Sequence, residues 1–285
     1  MRNLLLSLAA HLARLLPQFV KQTLYRLGPL THVMRSILNW AAPKGIHRVN
    51  IAGGYLQGLP FMLDMQKEKD YWLGTYEARL ASVLPELVPA GAMVYEAGAN
   101  VGYTSLCLGQ AAGAKGTVYC FEPLPSNIER LRQNVALNNA LCDFRVVPKA
   151  VSGDTGRVEF LVHRSDDMGK INGSAGRAEE YHHQITVDTI SLDDFVYKQG
   201  NPPPQVIKID IEGGEVLALP GMMKLLVEDH PLVMIELHGP ESARAAWQAF
   251  TRAGYSMYRI EPGSPVVSSP QELDWKAYLI ARPNV

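Results

Sequence analysis

The sequence predicts an α/β protein. Its centre is a Rossmann-like, mostly parallel seven-stranded sheet, closed by an antiparallel hairpin and preceded by an N-terminal helical arm. Three observations predict it. From Ala92 onward, short apolar runs alternate with amphipathic helical stretches, the pattern of parallel strands joined by crossover helices. The run Val94–Ser105, VYEAGANVGYTS, reads as a buried strand, a glycine turn and the start of a helix. The run Thr117–Pro123, TVYCFEP, is a second apolar strand ending in an acid, Glu122. A glycine loop leading into a helix brings backbone N–H donors close to a ligand. An acid closing the second strand is placed to accept hydrogen bonds from ribose hydroxyls. Together they point to a nucleoside-containing cofactor.

The elements follow in order. From Met1 to Leu63 there is no Asp or Glu, while Arg2, Arg14, Lys21, Arg26, Arg35, Lys44 and Arg48 are basic. Leu5, Leu8, Leu12, Leu15 and Leu16, then Val20, Leu24 and Leu27, recur at helical spacing. This is a basic amphipathic arm, suited to an anionic membrane surface or to packing on its own domain or a partner subunit. His11, Arg14 and Pro17 interrupt the run before about 18 apolar residues accumulate, so it is not a transmembrane helix. Val49–Leu63 reads as a small strand pair, and Tyr71–Leu87 as a helix. The expected division is an arm with that strand pair over residues 1–70 and a main domain over residues 71–285. Strands are expected at Met93–Glu96, Thr117–Glu122, Asp143–Pro148, Val206–Ile211 and Leu232–Leu237. Helices are expected at Tyr103–Ala112, Pro125–Asn138, Glu215–Glu228 and Glu241–Ala253, with Tyr255–Ile260 and Ala277–Ala281 forming the closing hairpin. Gly153–Val187 breaks the rhythm and reads as an inserted hairpin or lid.

Composition bounds the function. The 285 residues are 47% hydrophobic and 19% charged, enough for a substantial core, and a net charge of −1 gives no global attraction to nucleic acid. Cys107, Cys120 and Cys142 are scattered through apolar runs, as buried thiols of a reducing compartment are. A cytoplasmic location follows, peripheral to the inner membrane face if the arm binds lipid; homo-oligomerisation stays open.

The loop narrows the cofactor. Gly98-Ala99-Asn100-Val101-Gly102 is G-x-N-x-G and lacks the third glycine of a dinucleotide fingerprint, with Thr104 near that position. S-adenosylmethionine has no phosphate and tolerates a looser loop, but needs an acceptor for its ammonium group, which Glu96 offers. Trp72, Tyr76 and Glu77 precede this strand and can cover the methionine end. Ala150 follows the third strand, where an adenine rests against backbone. A nicotinamide dehydrogenase is the rival enzyme, disfavoured by the loop and by the lack of a Tyr-x-x-x-Lys pair. A non-catalytic scaffold subunit of the same fold is the rival outside enzymes.

The densest polar cluster is Lys208–Glu215, KIDIEGGE. Lys208 and Asp210 share one face of a strand and Glu212 follows; Glu236 and His238 share a face of the next. These residues converge at carboxyl ends, where α/β sheets bind ligands. His238 and Asp210 are candidates to orient an acceptor hydroxyl and remove its proton, with Lys208 holding a neighbouring carboxylate ionised. A divalent metal held by Asp210, Glu212, Glu236 or His238 is a further arrangement, and a structural salt-bridge network another. His163, His182 and His183 read as solvated loop residues, and Asn134 and Asn138, one turn apart, as braces for a loop.

These residues resemble the FkbM family of S-adenosylmethionine-dependent methyltransferases. The resemblance rests on EAGANVGYTS (Glu96–Ser105), VYCFEPLPSN (Val118–Asn127), LRQNVALNN (Leu131–Asn139), VVPKAVS (Val146–Ser152), SLDDF (Ser191–Phe195), KIDIEGGE (Lys208–Glu215) and IELHG (Ile235–Gly239). The motifs stand in the family's order over roughly Gly74–Leu237, leaving Met1–Leu63 uncovered. Glu96 stands where the family usually has Asp. The resemblance implies a class I methyltransferase fold and O-methylation, often of sugar or polyketide hydroxyls, with a glycan or other small-molecule acceptor. It implies a cofactor seat at Glu96, Gly98, Asn100, Gly102, Glu122 and Pro123, joined by Asp210.

Overall fold

The computed structural model describes residues 40–163, 168–176 and 181–284, with His11 and Ser36 as isolated positions. The expected amphipathic run from Leu5 to Leu27 therefore lies outside the described residues apart from His11. So do positions 164–167 and 177–180 of the insert. The chain divides into two compact units, Met1–Leu84 with Gln133–Asn139, and Pro85–Arg132 with Ala140–Val285.

In the first unit, β1 (Ile46–Asn50) pairs antiparallel with β2 (Pro60–Asp64), close to the expected strand pair. Asn134 and Asn138 brace it: Met62 N donates to Asn134 Oδ1 at 2.7 Å, and Asn138 Nδ2 donates to Pro60 O at 2.8 Å. The expected helix over Tyr71–Leu87 is two helices, α1 (Lys69–Leu73) and α2 (Ala78–Leu87). Gly74 separates them. It is left-handed at φ 67, and a Cβ there would stand 1.8 Å from Gly53 O, so the turn requires glycine.

The second unit carries β3 (Met93–Ala97), α3 (Tyr103–Ala112), β4 (Thr117–Phe121), α4 (Pro125–Leu137, whose last turn belongs with the first unit) and β5 (Asp143–Val147). After an excursion come β10 (Val206–Ile209), α5 (Glu215–Ala218), α6 (Met223–Glu228), β11 (Leu232–His238), α7 (Pro240–Arg252), β12 (Tyr255–Arg259) and β13 (Lys276–Pro283). The sheet is seven-stranded in the order β12-β13-β11-β10-β3-β4-β5. Five strands, from β11 to the edge strand β5, run parallel, and β13 lies antiparallel between β11 and β12, as a closing hairpin requires. The expected helix over Glu215–Glu228 is broken. Pro220 has no N–H to donate, and Leu219–Met222 tightens into a 3-10 turn between α5 and α6.

β10 is fully buried and β3 nearly so, as strands covered by helices on both faces must be. Tyr95, Tyr119, Phe121 and Phe195 meet edge to face beneath them, with centroids 5.0–5.7 Å apart. The excursion is its own sheet, β6 (Ala150–Val151), β7 (Gly156–His163), β8 (Gly169–Ile171) and β9 (Tyr181–Ile190), in the order β6-β9-β7-β8. The expected insert is thus a β7–β9 hairpin widened by two short strands. It has a core of Leu124, Ala150, Phe160, Val162, Ile171 and Val187.

Candidate active site

The topology locates the site. From β3 the chain builds outward to β4 and β5 on one side, then returns to build β10 and β11 on the other. The crevice of such a sheet opens where the order reverses, at the carboxyl ends of β3 and β10. Gly98 turns there at φ 86, and a Cβ would lie 1.9 Å from Asp210 O. Asp210 N donates to Ala97 O at 3.0 Å, so the two strand ends are locked together.

The glycine loop is tied to the next strand. Gly98 N and Ala99 N both donate to Phe121 O at 3.0 Å. Asn100 adopts φ 49 with its Oδ1 accepting from Val101 N at 2.7 Å, and Gly102 at φ 94 opens α3. Glu122 is buried beside the loop. Its Oε2 accepts from Asn100 N at 2.9 Å, and its Oε1 from Leu124 N at 3.0 Å and Asn127 Nδ2 at 3.3 Å. Burial pushes the carboxyl up to about 7, against the pull of those three hydrogen bonds. Pro123 follows directly. Ala150 lies on β6, paired with Thr189. Glu96 is one residue inside β3, fully buried, and accepts from Ser105 Oγ. Its register partner on β10 is Lys208. Glu77 lies in the first unit, with its backbone at φ 43.

Glu122 gives a pH prediction. Ribose hydroxyls donate best to an ionised carboxylate, so binding of a nucleoside at Glu122, as the sequence leads one to expect, would favour the deprotonated form. Affinity for S-adenosylhomocysteine is expected to fall as pH drops through about 7, by up to about tenfold per pH unit. In the free protein the sign reverses: a raised carboxyl stabilises the fold in acid, and that contribution is lost as pH rises through about 7. Calorimetry between pH 6 and 8 checks the binding limb, and the slope should vanish in Glu122→Gln.

The second cluster stands at the ends of β10 and β11, which run parallel with Ile209 opposite Ile235. Lys208 Nζ lies 3.2 Å from Asp210 Oδ2, both side chains largely buried. Burial raises the Asp210 carboxyl, but Lys208, His238 and Lys276 outweigh it and hold it below the usual carboxylate range. His238 ends β11. Its Nδ1 lies 3.1 Å from Glu215 Oε1, while Nε2 lies 3.5 Å from Glu236 Oε1, 3.7 Å from Glu212 Oε2 and 3.8 Å from Asp210 Oδ1. Burial lowers the imidazole pKa, but Glu215, Asp210 and Glu212 together lift it above its ordinary value. Glu236 Oε1 also meets Lys276 Nζ at 2.5 Å.

The structure thus gathers Lys208, Asp210, Glu212, Glu236 and His238 as the strand spacing implies. It adds residues that the spacing does not single out. Glu215 is fully buried at the start of α5. Its Oε2 accepts from Ser242 Oγ at 2.8 Å, and its Oε1 accepts from Ile211 N and Gly213 N, both at 3.3 Å. That carboxylate fixes the His238 ring. Lys276 is the register partner of His238, and Trp275, 54% exposed, accepts from Gly239 N at 2.8 Å through its carbonyl. The register of a hairpin that closes some forty residues later has no local signal in the sequence. The insert also reaches this end: Ala175 N donates to Gly213 O at 3.0 Å, beside Glu212. His182 and His183 are exposed on β9, their rings 2.8 Å apart between Nδ1 and Nε2.

The sequence model of the methyltransferase FkbM domain matches residues 96–257, from the end of β3 into β12. The chain belongs to the FkbM methyltransferase family. It is 28% identical over 148 residues to the hexuronic acid methyltransferase AglP of Haloferax volcanii, covering 51% of this chain and 56% of that one. The match thus spans about half the length of that relative. Among solved structures, methyltransferase FkbM from Methylobacillus flagellatus superposes with a TM-score of 0.43 at 19% identity, covering 74% of this chain and 52% of that one. Fibrillarin of Aeropyrum pernix, solved with S-adenosyl-L-methionine, gives 0.44 at 10% identity, covering 71% and 73%. Family membership rests on the matched sequence, and the strand order fits the fold expected of it. Among the described residues no helix is long and apolar enough to cross a membrane.

Proposed function

We propose that the chain is an S-adenosylmethionine-dependent O-methyltransferase acting on a sugar hydroxyl. One observation carries the reading: Gly98 packs against the Asp210 carbonyl, so the loop we read as a nucleoside seat adjoins the acid–histidine cluster. The residues fit the cofactor. Glu122 presents a buried carboxylate at the end of β4, beside a glycine loop with no tight pyrophosphate cradle. Glu96 and Asp210 supply negative charge near the loop for the ammonium and sulfonium groups. When bound, the cofactor supplies an electrophilic methyl group.

The chain's own work is at the acceptor end. Asp210 and His238 orient the acceptor hydroxyl and take its proton, with Lys208 holding Asp210 ionised. In neutral His238, the Nδ1 proton goes to Glu215, which leaves the Nε2 lone pair facing Asp210 and Glu212. Two features support a sugar acceptor. The relative AglP is named for a hexuronic acid, and Trp275 exposes an aromatic face one residue from Lys276 at the same strand end. The basic stretch Met1–Leu63 supports an acceptor carried at an anionic membrane surface.

Calorimetry with S-adenosylmethionine and S-adenosylhomocysteine tests the reading, followed by methyl transfer to a panel of free and lipid-linked glycans. Micromolar binding, weakened at least about tenfold in Glu122→Ala, is the expected result. A folded protein that binds neither ligand, or that binds NADH in a parallel fluorescence titration, overturns it.

A further inference from the structure

We infer that Asp210, Glu236 and His238 form a divalent-cation site at the acceptor end, with a donor set suited to Mn2+. The three residues each present one ligand atom, and these atoms all lie within 4.8 Å of one another. Carboxylates alone would not make a site. The second observation is His238 itself, which is 6% exposed and whose Nε2 makes no hydrogen bond. That nitrogen is aimed at carboxylate oxygens 3.5 and 3.8 Å away, on Glu236 and Asp210. Such separations are long for a hydrogen bond. They suit ligands on two sides of an ion, each about 2.1 Å from it.

The surroundings are those of a ligating histidine. A metal-bound imidazole commonly gives its other ring N–H to a carboxylate, which fixes its tautomer and raises its basicity. Glu215 is that carboxylate, 3.1 Å from Nδ1 and itself held by Ser242 and two backbone N–H groups. Charge agrees. Among the described residues, Asp210, Glu212, Glu215 and Glu236 face Lys208 and Lys276, and Lys170 of the insert acts on Glu212. Four carboxylates against three ammonium groups leave a negative excess with His238 neutral, which a divalent ion offsets. Two carboxylates to one imidazole favour Mn2+ over softer ions.

Lys276 is the competitor. Its side chain is 51% exposed and pairs with Glu236 Oε1, so an incoming ion displaces an ammonium that has solvent to retreat into. Lys208 is buried against Asp210 Oδ2 and stays, leaving Oδ1 for the ion. With an ion seated, His238 would be a ligand and not the base; the ion would acidify a hydroxyl bound to it, and Glu212, which stands outside the three ligands, would take the proton. What the ion does thus rests on the methyltransferase reading; whether it binds does not.

The test is titration of the full chain with Mn2+, followed by the loss of the free-ion paramagnetic resonance signal. S-adenosylhomocysteine binding is measured on the same preparation. About one equivalent is expected to bind below about 100 μM. Glu236→Gln and Asp210→Asn should each weaken it at least about tenfold, and Glu215→Gln by about 10–100-fold through His238. Lys276→Met should tighten it severalfold by removing the competing ammonium. Folding of each variant is checked by circular dichroism, and Lys276→Met, which removes only a half-exposed cation, keeps a gain-of-binding arm if the acidic variants unfold. A folded wild type that binds no Mn2+ at about 1 mM overturns the site. So does binding that is unchanged across all four variants. Intact S-adenosylhomocysteine binding with silent Mn2+ removes the cation alone; the reverse result removes the methyltransferase reading and leaves the cation.

Discussion

Replacing His238 with glutamine is expected to lower methyl transfer by about 10²–10⁴-fold while S-adenosylhomocysteine affinity stays within about threefold. The split follows from position. His238 ends β11, one strand beyond the β3–β10 crevice, while Glu122 and the glycine loop sit on its other side. Glutamine can still donate to Glu215, so the buried carboxylate keeps a partner, but it offers no imidazole lone pair toward Asp210 and Glu212. The magnitude holds whether the imidazole takes the hydroxyl proton or ligates an ion that acidifies it. Ser242→Ala is the control. It removes one hydrogen bond to Glu215, at 2.8 Å, and leaves the ring in place, so turnover should fall far less. Steady-state kinetics with a methyl-accepting glycan, beside calorimetry, reads both numbers. Wild-type turnover in His238→Gln would place the chemistry elsewhere.

Much of this was legible in the chain because the deciding signals are local. The expected helix over Tyr103–Ala112 matches α3 residue for residue, since glycines bound it at Gly102 and Gly113. The parallel strands fall within two residues of their apolar runs; the inner ones, buried on both faces, read as continuous hydrophobic stretches. Two-residue spacing was enough to put Lys208 with Asp210, and Glu236 with His238, on shared faces. What failed to show was set by long-range contact or by a single breaker. Tyr71–Leu87 reads as one amphipathic helix until Gly74 is seen pressed on Gly53 O, a partner twenty-one residues back. Pro220 sits in an otherwise helical run and yields a 3-10 turn that periodicity does not reveal. Glu215 begins a helix in the sequence, yet in the fold it is the buried support of His238, because α5 starts beneath the end of β11. Lys276 joins the cluster only through the antiparallel register of β13 with β11.

Gly98→Ala is expected to destabilise the protein by about 2–5 kcal/mol and to abolish measurable S-adenosylhomocysteine binding. Two costs add there. The residue holds φ 86, a left-handed conformation that disfavours any Cβ by about 1–2 kcal/mol. The methyl group would also stand 1.9 Å from Asp210 O and 3.0 Å from its carbonyl carbon, which is backbone and cannot rotate away. Relief requires β3 and β10 to part where the Asp210 N–H meets Ala97 O at 3.0 Å. That parting displaces the glycine loop from Phe121 O and Glu122, and moves Asp210 away from His238. Gly113→Ala separates the two costs. Gly113 also has a positive φ, at 71, but a Cβ there meets nothing within 4 Å. Its ψ of 179 puts it in a region that side-chain-bearing residues rarely adopt, so it should lose only a backbone contribution of about 1–3 kcal/mol and bind S-adenosylhomocysteine as the wild type does. Thermal denaturation of the pair, read beside calorimetry, gives the comparison. Similar losses of stability and binding in both variants would mean that the strand ends yield easily. The close approach of Gly98 to Asp210 would then not be what joins the cofactor seat to the acid–histidine cluster. A large gap between them shows that one missing Cβ holds the two halves of the site in register.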